Sequence, residues 1–227
     1  MIRKYNEDIE LTFSPSSVGV MTFIDDNKKV IINVNSKTSE SKVSNLRINV
    51  RLNDDKSDEF IITDKKGKAE YQLSRLNVPS GNHSLIFTLD YENMMSGNAQ
   101  KIVQVIPKEY SLDISLKSAK IYFDANVTNL GDKVKNSSVF SSLKECFEDN
   151  YSSTFVEARR KADIILRLNI QTEERAKRLG ENYPYFVYAT GSISLINNKT
   201  SEEVLNSTFK DSKGADFNLI EKAGLNA

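Results

Sequence analysis

The sequence is poor in the residues from which catalytic and metal sites are most often built. Its 227 residues include one cysteine (Cys146), one histidine (His83) and no tryptophan. A single cysteine excludes an intrachain disulfide, and therefore a small secreted fold held together by such bonds. A single histidine excludes any metal site that needs two histidines from one chain. Without tryptophan, nine tyrosines remain as the larger polar aromatics for stacking on a ligand.

Neither charge nor hydropathy indicates a membrane or a nucleic acid as partner. Lys plus Arg and Asp plus Glu are 31 each, so no net charge attracts an anionic polymer. No run reaches the roughly 18 apolar residues of a transmembrane helix. The first eight residues lack the apolar core of a signal peptide. We expect an extracytoplasmic protein (periplasm or cell surface) if an export signal has been removed, and a cytoplasmic one otherwise. The stop at Ala227, inside a predicted helix, favours a fragment.

Residues 1–116 show the alternation that is typical of β-strands. Apolar residues alternate with polar ones in segments 30–35 and 46–53, which gives each strand one buried face and one solvated face. Further predicted strands are 59–63, 69–73, 84–89, 102–106 and 111–116. Short strands at regular spacing, separated by polar turns, predict an all-β sandwich.

One stretch within these residues is more specific. A turn that contains Gly67 leads into a strand that contains Ala69, and Pro79-Ser80-Gly81 precedes the next strand. This pattern resembles bacterial immunoglobulin-like domains over residues 15–107. The resemblance implies an immunoglobulin-like β-sandwich for residues 1–116 and leaves the ligand open.

Residues 117–227 mix strands with helices. We predict strands at 119–125, 154–156, 163–172, 183–195 and 203–209, a helix from about Ser138 and a final helix from about Asp216. The main order β-α-β-β-β-α favours an α+β sandwich, in which two helices cover one face of an antiparallel sheet.

Four features of this half resemble the small lipoprotein domains of the CsgG and LpoB kind. They are Asn129-Leu130-Gly131 before a helix, Ala162-Asp163 before an apolar strand, the strand 191–195 before a hairpin turn, and Gly214 before a helix that carries Ala223. The resemblance implies a non-catalytic, extracytoplasmic binding or assembly role. No amphipathic pore-forming segment is evident, so pore formation is not implied.

The candidate reactive residues favour structural roles. Cys146 recurs with Leu143 and Phe147 on the apolar face of the predicted helix, so we expect it to be buried and not a nucleophile. His83 is expected at a strand edge. The acidic pairs 25–26, 54–55 and 58–59 offer oxygen ligands for calcium, but solvated turns are favoured, and the basic segments 159–161 and 175–178 are expected to be solvated too. We assign no catalytic, cofactor-binding or metal-binding residue.

The predicted partner surface lies in the second half. Alternation places Phe186 and Tyr188 on one face of their strand, together with Thr190, Ser192 and Ser194. We expect these aromatics to pair across the sheet with Arg167, Asn169 and Gln171 and to form a recognition surface. The alternative is that this face packs on the β-sandwich.

The leading hypothesis is therefore a non-catalytic, envelope-associated binding or assembly module. Its expected partner is another envelope protein or a surface polymer, with no nucleic acid and no cofactor. The alternative is an adhesin-like or glycan-binding protein that acts through the β-sandwich. An enzyme ranks third, because the usual acid–base and nucleophile combinations are missing.

Overall fold

The computed structural model describes residues 7–24, 27–53, 59–73, 76, 78–91, 108–134 and 138–227. The chain is predominantly β. It divides into two compact units, unit 1 (residues 1–76 and 80–117) and unit 2 (residues 77–79 and 118–227). None of the described helices has the length and apolar character that crossing a bilayer would require.

Unit 1 contains two sheets. The three-stranded sheet has the order β1-β3-β6 and the five-stranded sheet the order β2-β8-β7-β4-β5. The strands are β1 Ile9–Ser14, β2 Ser17–Met21, β3 Lys29–Ser36, β4 Arg47–Leu52, β5 Glu59–Ile62, β6 Lys68–Gln72, β7 Gly81–Leu89 and β8 Glu109–Lys117. The predicted strand 102–106 and the acidic pairs 25–26 and 54–55 lie outside the described residues, as does Asp58 of the third pair.

Aromatic contacts show how these two sheets pack. The ring of Phe87 in β7 lies 4.8 Å from that of Phe13 in β1 and 6.1 Å, edge-on, from that of Tyr71 in β6. Tyr110 of β8 donates a 2.5 Å hydrogen bond to the carbonyl oxygen of Ile9, and burial raises its pKa to about 12. The two sheets therefore face each other across an apolar core, as in a β-sandwich.

The core of unit 1 follows the predicted alternation. In β3, Val30, Ile32 and Val34 are fully buried, and in β4 the same holds for Ile48 and nearly for Val50. Their neighbours along each strand are more exposed. The alternation predicted for these two strands is confirmed.

Unit 2 is built on one sheet with two α-helices. The strand order is β10-β9-β12-β13-β14, and β11 pairs with β9. The elements are β9 Lys120–Asn129, β10 Asp132–Lys133, α1 Ser138–Tyr151, β11 Thr154–Phe155, β12 Ile164–Glu173, β13 Tyr185–Asn197, β14 Glu203–Asp216 and α2 Ile220–Leu225. The predicted helix in this region is confirmed over Ser138–Tyr151, as is a short strand at Thr154.

The prediction of an antiparallel sheet is wrong, because the sheet is mixed. β12 pairs parallel with β9, whereas β13 and β14 follow as antiparallel strands. A parallel neighbour requires a crossover that returns the chain to the end where it started, and the segment containing α1 makes that return. The tight hairpin turn at 197–200 connects β13 to β14 and permits only the antiparallel arrangement.

The final strand is longer than predicted and the final helix starts later. Residues 212–216 pair with 185–189 of β13, so β14 ends at Asp216, where the helix was expected to begin. The Asp216 carboxylate accepts hydrogen bonds from the backbone nitrogens of Asn218 (2.8 Å) and Leu219 (2.9 Å), which lower its pKa. Asp216 therefore forms the turn that precedes α2.

The prediction that Cys146 is buried is wrong, since its side chain is exposed. Helix α1 faces the sheet through Phe140 and Phe147, a spacing of seven residues that repeats after two turns. Phe140 meets Phe123 of β9 edge-on at 5.4 Å, and Phe147 is buried. Cys146, one residue before Phe147, points about 100° away from this contact and therefore lies on the flank of the helix.

Helix α2 docks on the sheet where two glycines permit close approach. A Cβ atom on Gly214 of β14 would overlap the carbonyl oxygen of Ala223, and one on Gly224 would overlap the side-chain oxygen of Asn129. Asn129 donates to the carbonyl oxygen of Glu221 (2.8 Å) and accepts from Thr172 (2.7 Å). The helix is thus held both by contact and by a short hydrogen-bond chain.

We expect Gly214→Ala to destabilise the protein, because the added methyl group collides with backbone atoms that have little freedom to move. The expected loss in free energy of unfolding is about 1–3 kcal/mol, as for other overpacked sites. Urea denaturation followed by circular dichroism measures it. Gly180→Ala is the matched control, since its nearest neighbour would be the Tyr183 ring at 3.8 Å. Equal stability of the two variants would contradict the close approach.

We expect Cys146 to react with a maleimide in the native protein about as fast as in urea, because its side chain is exposed on α1. Mass spectrometry at timed quenching points gives both rates. A native rate many times slower than the rate in urea would show that the thiol is covered after all.

Candidate functional site

The sheet of unit 2 has one apolar face and one polar face. Along β12, Leu166 and Leu168 are buried, whereas Arg167 and Asn169, which alternate with them, are partly exposed. The apolar face borders a cavity of about 370 Å³ that Val139, Leu143 and Leu225 of the two helices also line. The opposite face carries the polar side chains, and we call it the polar face.

An open groove of about 470 Å³ runs over the polar face. It crosses β9, β12, β13 and β14, and all of its lining comes from unit 2. The lining residues are Asn126, Thr128, Asn169, Ile170, Gln171, Thr190, Gly191, Ser192, Thr208, Phe209 and Lys210. Seven of them are neutral polar residues, and we call these seven the groove amides and hydroxyls: Asn126, Thr128, Asn169, Gln171, Thr190, Ser192 and Thr208.

Strand register arranges these side chains in two rows across the sheet. In the first row Asn126 lies opposite Asn169, Asn169 opposite Ser192, and Ser192 opposite Thr208. The second row joins Thr128, Gln171 and Thr190. Side chains opposite each other in a sheet have Cβ atoms about 4.5–5.5 Å apart, so each row presents closely spaced donors and acceptors. Within the described part of the chain, no hydrogen bond joins any of the seven side chains to another protein group.

Gly191 and Phe209 set the floor of the groove on its β14 side. The two residues lie opposite each other, and a Cβ atom on Gly191 would approach Phe209 Cζ to 2.7 Å. The register shifts directly beyond this pair, between Ala189 and Gly191, so two residues of β14 lie opposite Thr190. The aromatic ring therefore covers the glycine, an arrangement known to stabilise glycines in sheets.

The predicted partner-surface residues occupy different parts of the polar face. Asn169 and Gln171 line the groove. Arg167 lies beyond its end, where its Nε atom is 3.1 Å from a carboxylate oxygen of Asp124. The predicted pairing of the aromatics with Arg167, Asn169 and Gln171 is wrong, because Tyr188 lies opposite Glu173 and Phe186 lies past the end of β12.

A cation of the protein lies over each of the two aromatic rings. The Lys213 ammonium lies 3.7 Å from the ring centroid of Phe186, and the Arg175 guanidinium 4.7 Å from that of Tyr188. Glu173 accepts a 2.7 Å hydrogen bond from Arg175, which raises the pKa of the guanidinium. Each ring is thus in a cation–π contact with a side chain of the protein, although Phe186 stays 36% exposed.

Sequence reasoning missed four of the polar groove residues, Asn126, Thr128, Thr208 and Lys210, and also Ile170, Gly191 and Phe209. The signal that would have found the first four is alternation in 124–128 and 206–210, read together with the strand order. Polar residues on β9 and β14 share the face of Asn169 only because these strands flank β12 and β13. That neighbourhood is a property of the fold and not of any one segment.

The remaining candidate groups do not assemble into a reactive site within the described ranges. His83 belongs to β7 of unit 1, and its Nδ1 atom lies 2.9 Å from Nδ2 of Asn53. No group of three or more His, Cys, Asp or Glu residues among the described ones is arranged to hold a metal ion. Arg159–Lys161 forms a turn of 3-10 helix whose residues are all exposed, and Arg175 is paired with Glu173 and Asp211.

Comparison with known proteins gives little. A scan against models of known protein families finds no match, and a search of curated protein sequences finds none either. Among solved structures, a protein described as a neuraminyllactose-binding hemagglutinin homolog from Helicobacter pylori is similar with a TM-score of 0.28 and 15% identity. The match covers 42% of this chain and 64% of that chain, which is less than two thirds of its length. A similarity of this size establishes neither the fold nor the function.

Proposed function

We propose that this protein is a non-catalytic binding module of the bacterial cell envelope that recognises a carbohydrate polymer through the groove on the polar face of unit 2. One observation carries the proposal. Seven neutral amide and hydroxyl side chains line an open groove, and none of them has a hydrogen-bond partner within the described part of the chain. They are available to a ligand.

The chemistry of the lining favours a carbohydrate over a protein partner. Amides and hydroxyls both donate and accept hydrogen bonds, as the hydroxyl groups of a sugar do. The centres of protein–protein interfaces are instead enriched in aromatic residues, Met and Arg. Phe209 and Ile170 are the only large apolar residues among those that line the groove. A nucleic acid would call for several cations along the groove to neutralise phosphates.

The lining also favours binding without catalysis. Glycoside hydrolysis ordinarily uses two carboxyl groups on either side of the scissile bond, and other hydrolyses use a nucleophile beside a base. No carboxylate, cysteine or histidine is among the residues that line this groove. Lys210 is its one ionisable residue.

Strand order supports an immunoglobulin-like identity for unit 1. In that fold strands A, B and E share one sheet, and strands C, F and G share the other. With β1, β3 and β6 as A, B and E, the second sheet becomes C (β4), an added edge strand (β5), F (β7) and G (β8). β2 joins the second sheet beside β8, so the first strand divides between the two sheets. We regard this unit as the structural part of the module, since the fold alone does not define a function.

Two contacts in unit 2 support a relationship with CsgG/LpoB-type envelope lipoprotein domains. Asp163, before β12, accepts a 2.9 Å hydrogen bond from the backbone nitrogen of Lys120 and so ties the start of β12 to that of β9. Gly214 and Ala223 meet where the final helix lies on the sheet, and Ala223 is fully buried. The proposed extracytoplasmic location depends on this relationship.

A glycan array probed with the full chain tests the proposal, and calorimetry on the best ligand measures the effect of variants. We expect Asn169→Ala/Gln171→Ala to bind about 5- to 150-fold more weakly, since each of the two lost neutral hydrogen bonds is worth about 0.5–1.5 kcal/mol. The melting temperature should stay unchanged, because neither side chain has a protein partner. Gln72→Ala/Asn82→Ala makes the same changes at exposed strand positions of unit 1 and should bind normally.

Three outcomes separate the hypotheses. Absence of binding to every glycan on the array rejects the proposal. Binding that survives in the groove variant moves the site elsewhere. In that case Phe60→Ala tests the sandwich, because Phe60 is 45% exposed on the edge strand β5, with Arg47 3.5 Å from its ring centroid. Loss of binding in Phe60→Ala alone would establish the alternative, an adhesin that acts through unit 1.

A further inference from the structure

We infer that the ligand of the groove is an acidic carbohydrate, and that the Lys210 ammonium binds its anionic group. The inference rests on the proposed function and names the class of ligand. Lys210 is the one charged residue among those that line the groove, and no carboxylate lines it. A ligand that fills the groove therefore meets a neutral floor and a single positive charge.

The charge of Lys210 is not neutralised by the protein. Its side chain is exposed, and it has no ion pair with any residue that the structure describes. Two other cations of the polar face are paired with carboxylates, and a third, Lys213, lies over the ring of Phe186. Arg167 is paired with Asp124, and Arg175 with Glu173 and Asp211. Lys210 is thus free to pair with an external anion.

The bulge in β14 explains why the carboxylate of Asp211, the next residue along the chain, does not pair with Lys210. Residues 210 and 211 together lie opposite Thr190, and Asp211 has a left-handed backbone with a φ of 60°. Its carboxylate forms an ion pair with Arg175 instead. The bulge therefore separates two neighbouring charges of opposite sign, and only the positive one borders the groove.

A groove of neutral polar groups with one ammonium group fits a sugar that carries one anionic substituent. The groove amides and hydroxyls match the hydroxyl groups of a sugar ring, and a lysine ammonium offers three donors to a carboxylate or a sulfate. One cation does not distinguish these two anions by geometry. Both are acidic substituents of polysaccharides, and the experiment below separates them.

The test compares matched polymers on the full chain. Calorimetry or biolayer interferometry is run with polygalacturonate, its fully methyl-esterified form, dextran sulfate and dextran. We expect at least one acidic polymer to bind about tenfold more tightly than its neutral counterpart, and this preference to weaken as salt is raised. Preference for polygalacturonate indicates a carboxylate, and preference for dextran sulfate indicates a sulfate.

Lys210→Gln should abolish the preference for the acidic polymer and the salt dependence of that preference. Affinity for the neutral polymer and the melting temperature should stay unchanged. Lys199→Gln, an exposed residue in the turn before β14, removes the same charge away from the groove and should change nothing. Equal binding of acidic and neutral polymers, or a preference that survives Lys210→Gln, would overturn the inference and leave the proposed function standing. Binding of none of these polymers, together with an empty glycan array, would reject both.

Discussion

The pairing of β12 with β9 on one side and with β13 on the other decides which side chains of unit 2 share a face. Side chains alternate along a strand, so a shift by one residue would move Asn169 and Gln171 under the helices and bring Leu168 into water. The buried leucines make such a shift costly, because each would lose the benefit of burial, about 1.5–3 kcal/mol. The apolar packing under α1 and α2 therefore holds the polar rows in place. The groove depends on a core to which few of its own side chains contribute, since only Thr128, Ile170 and Phe209 of its lining also border the cavity on the apolar face.

The same sheet departs from regular pairing where β13 meets β14, and that departure shapes the site. Gly191 admits the ring of Phe209, and the bulge beyond it changes the phase of β14. Up to the bulge, Thr208 continues the row of Asn169. Within it, Lys210 borders the groove while Asp211 pairs with Arg175. Bulges near binding sites commonly re-aim a side chain, and here two adjacent charges reach different surroundings.

Local patterns predicted the elements that such patterns determine. Alternation located β3, β4 and β12, and the apolar spacing of residues 139–147 indicated helix α1. The predictions that failed concerned features that depend on neighbouring elements of the fold. The parallel pairing of β9 with β12 follows from the path of the chain through α1, which no single segment encodes. The helix expected at Asp216 was a misreading of 211–215, whose mixed composition suits an exposed edge strand as well as a loop. Cys146 was assigned to the buried stripe because it lies at helical spacing from Leu143, whereas the helix contacts the sheet through Phe147, and one residue turns the helix by about 100°.

The candidate site was predictable to the same extent. Asn169 and Gln171 follow from alternation along β12, and Thr190 and Ser192 from alternation along β13. The contribution of Asn126, Thr128, Thr208 and Lys210 required the strand order. The aromatic pair Phe186 and Tyr188 attracted attention as a recognition surface because exposed aromatics often mark one. The positions of Lys213 and Arg175 were needed to see that each of these two rings already contacts a cation of the protein.

An open groove lined by neutral groups suits a repetitive ligand better than a small one. In the free protein these side chains are hydrated, so a ligand must replace water contacts of similar strength, and each hydrogen bond contributes little net free energy. A single sugar in a groove of this kind is therefore bound weakly. A polymer presents the same unit many times, and several copies of the protein held on one surface engage it together, which raises the overall affinity without any new contact. Under the proposed function, weak recognition by each groove is thus compatible with stable attachment to a polysaccharide.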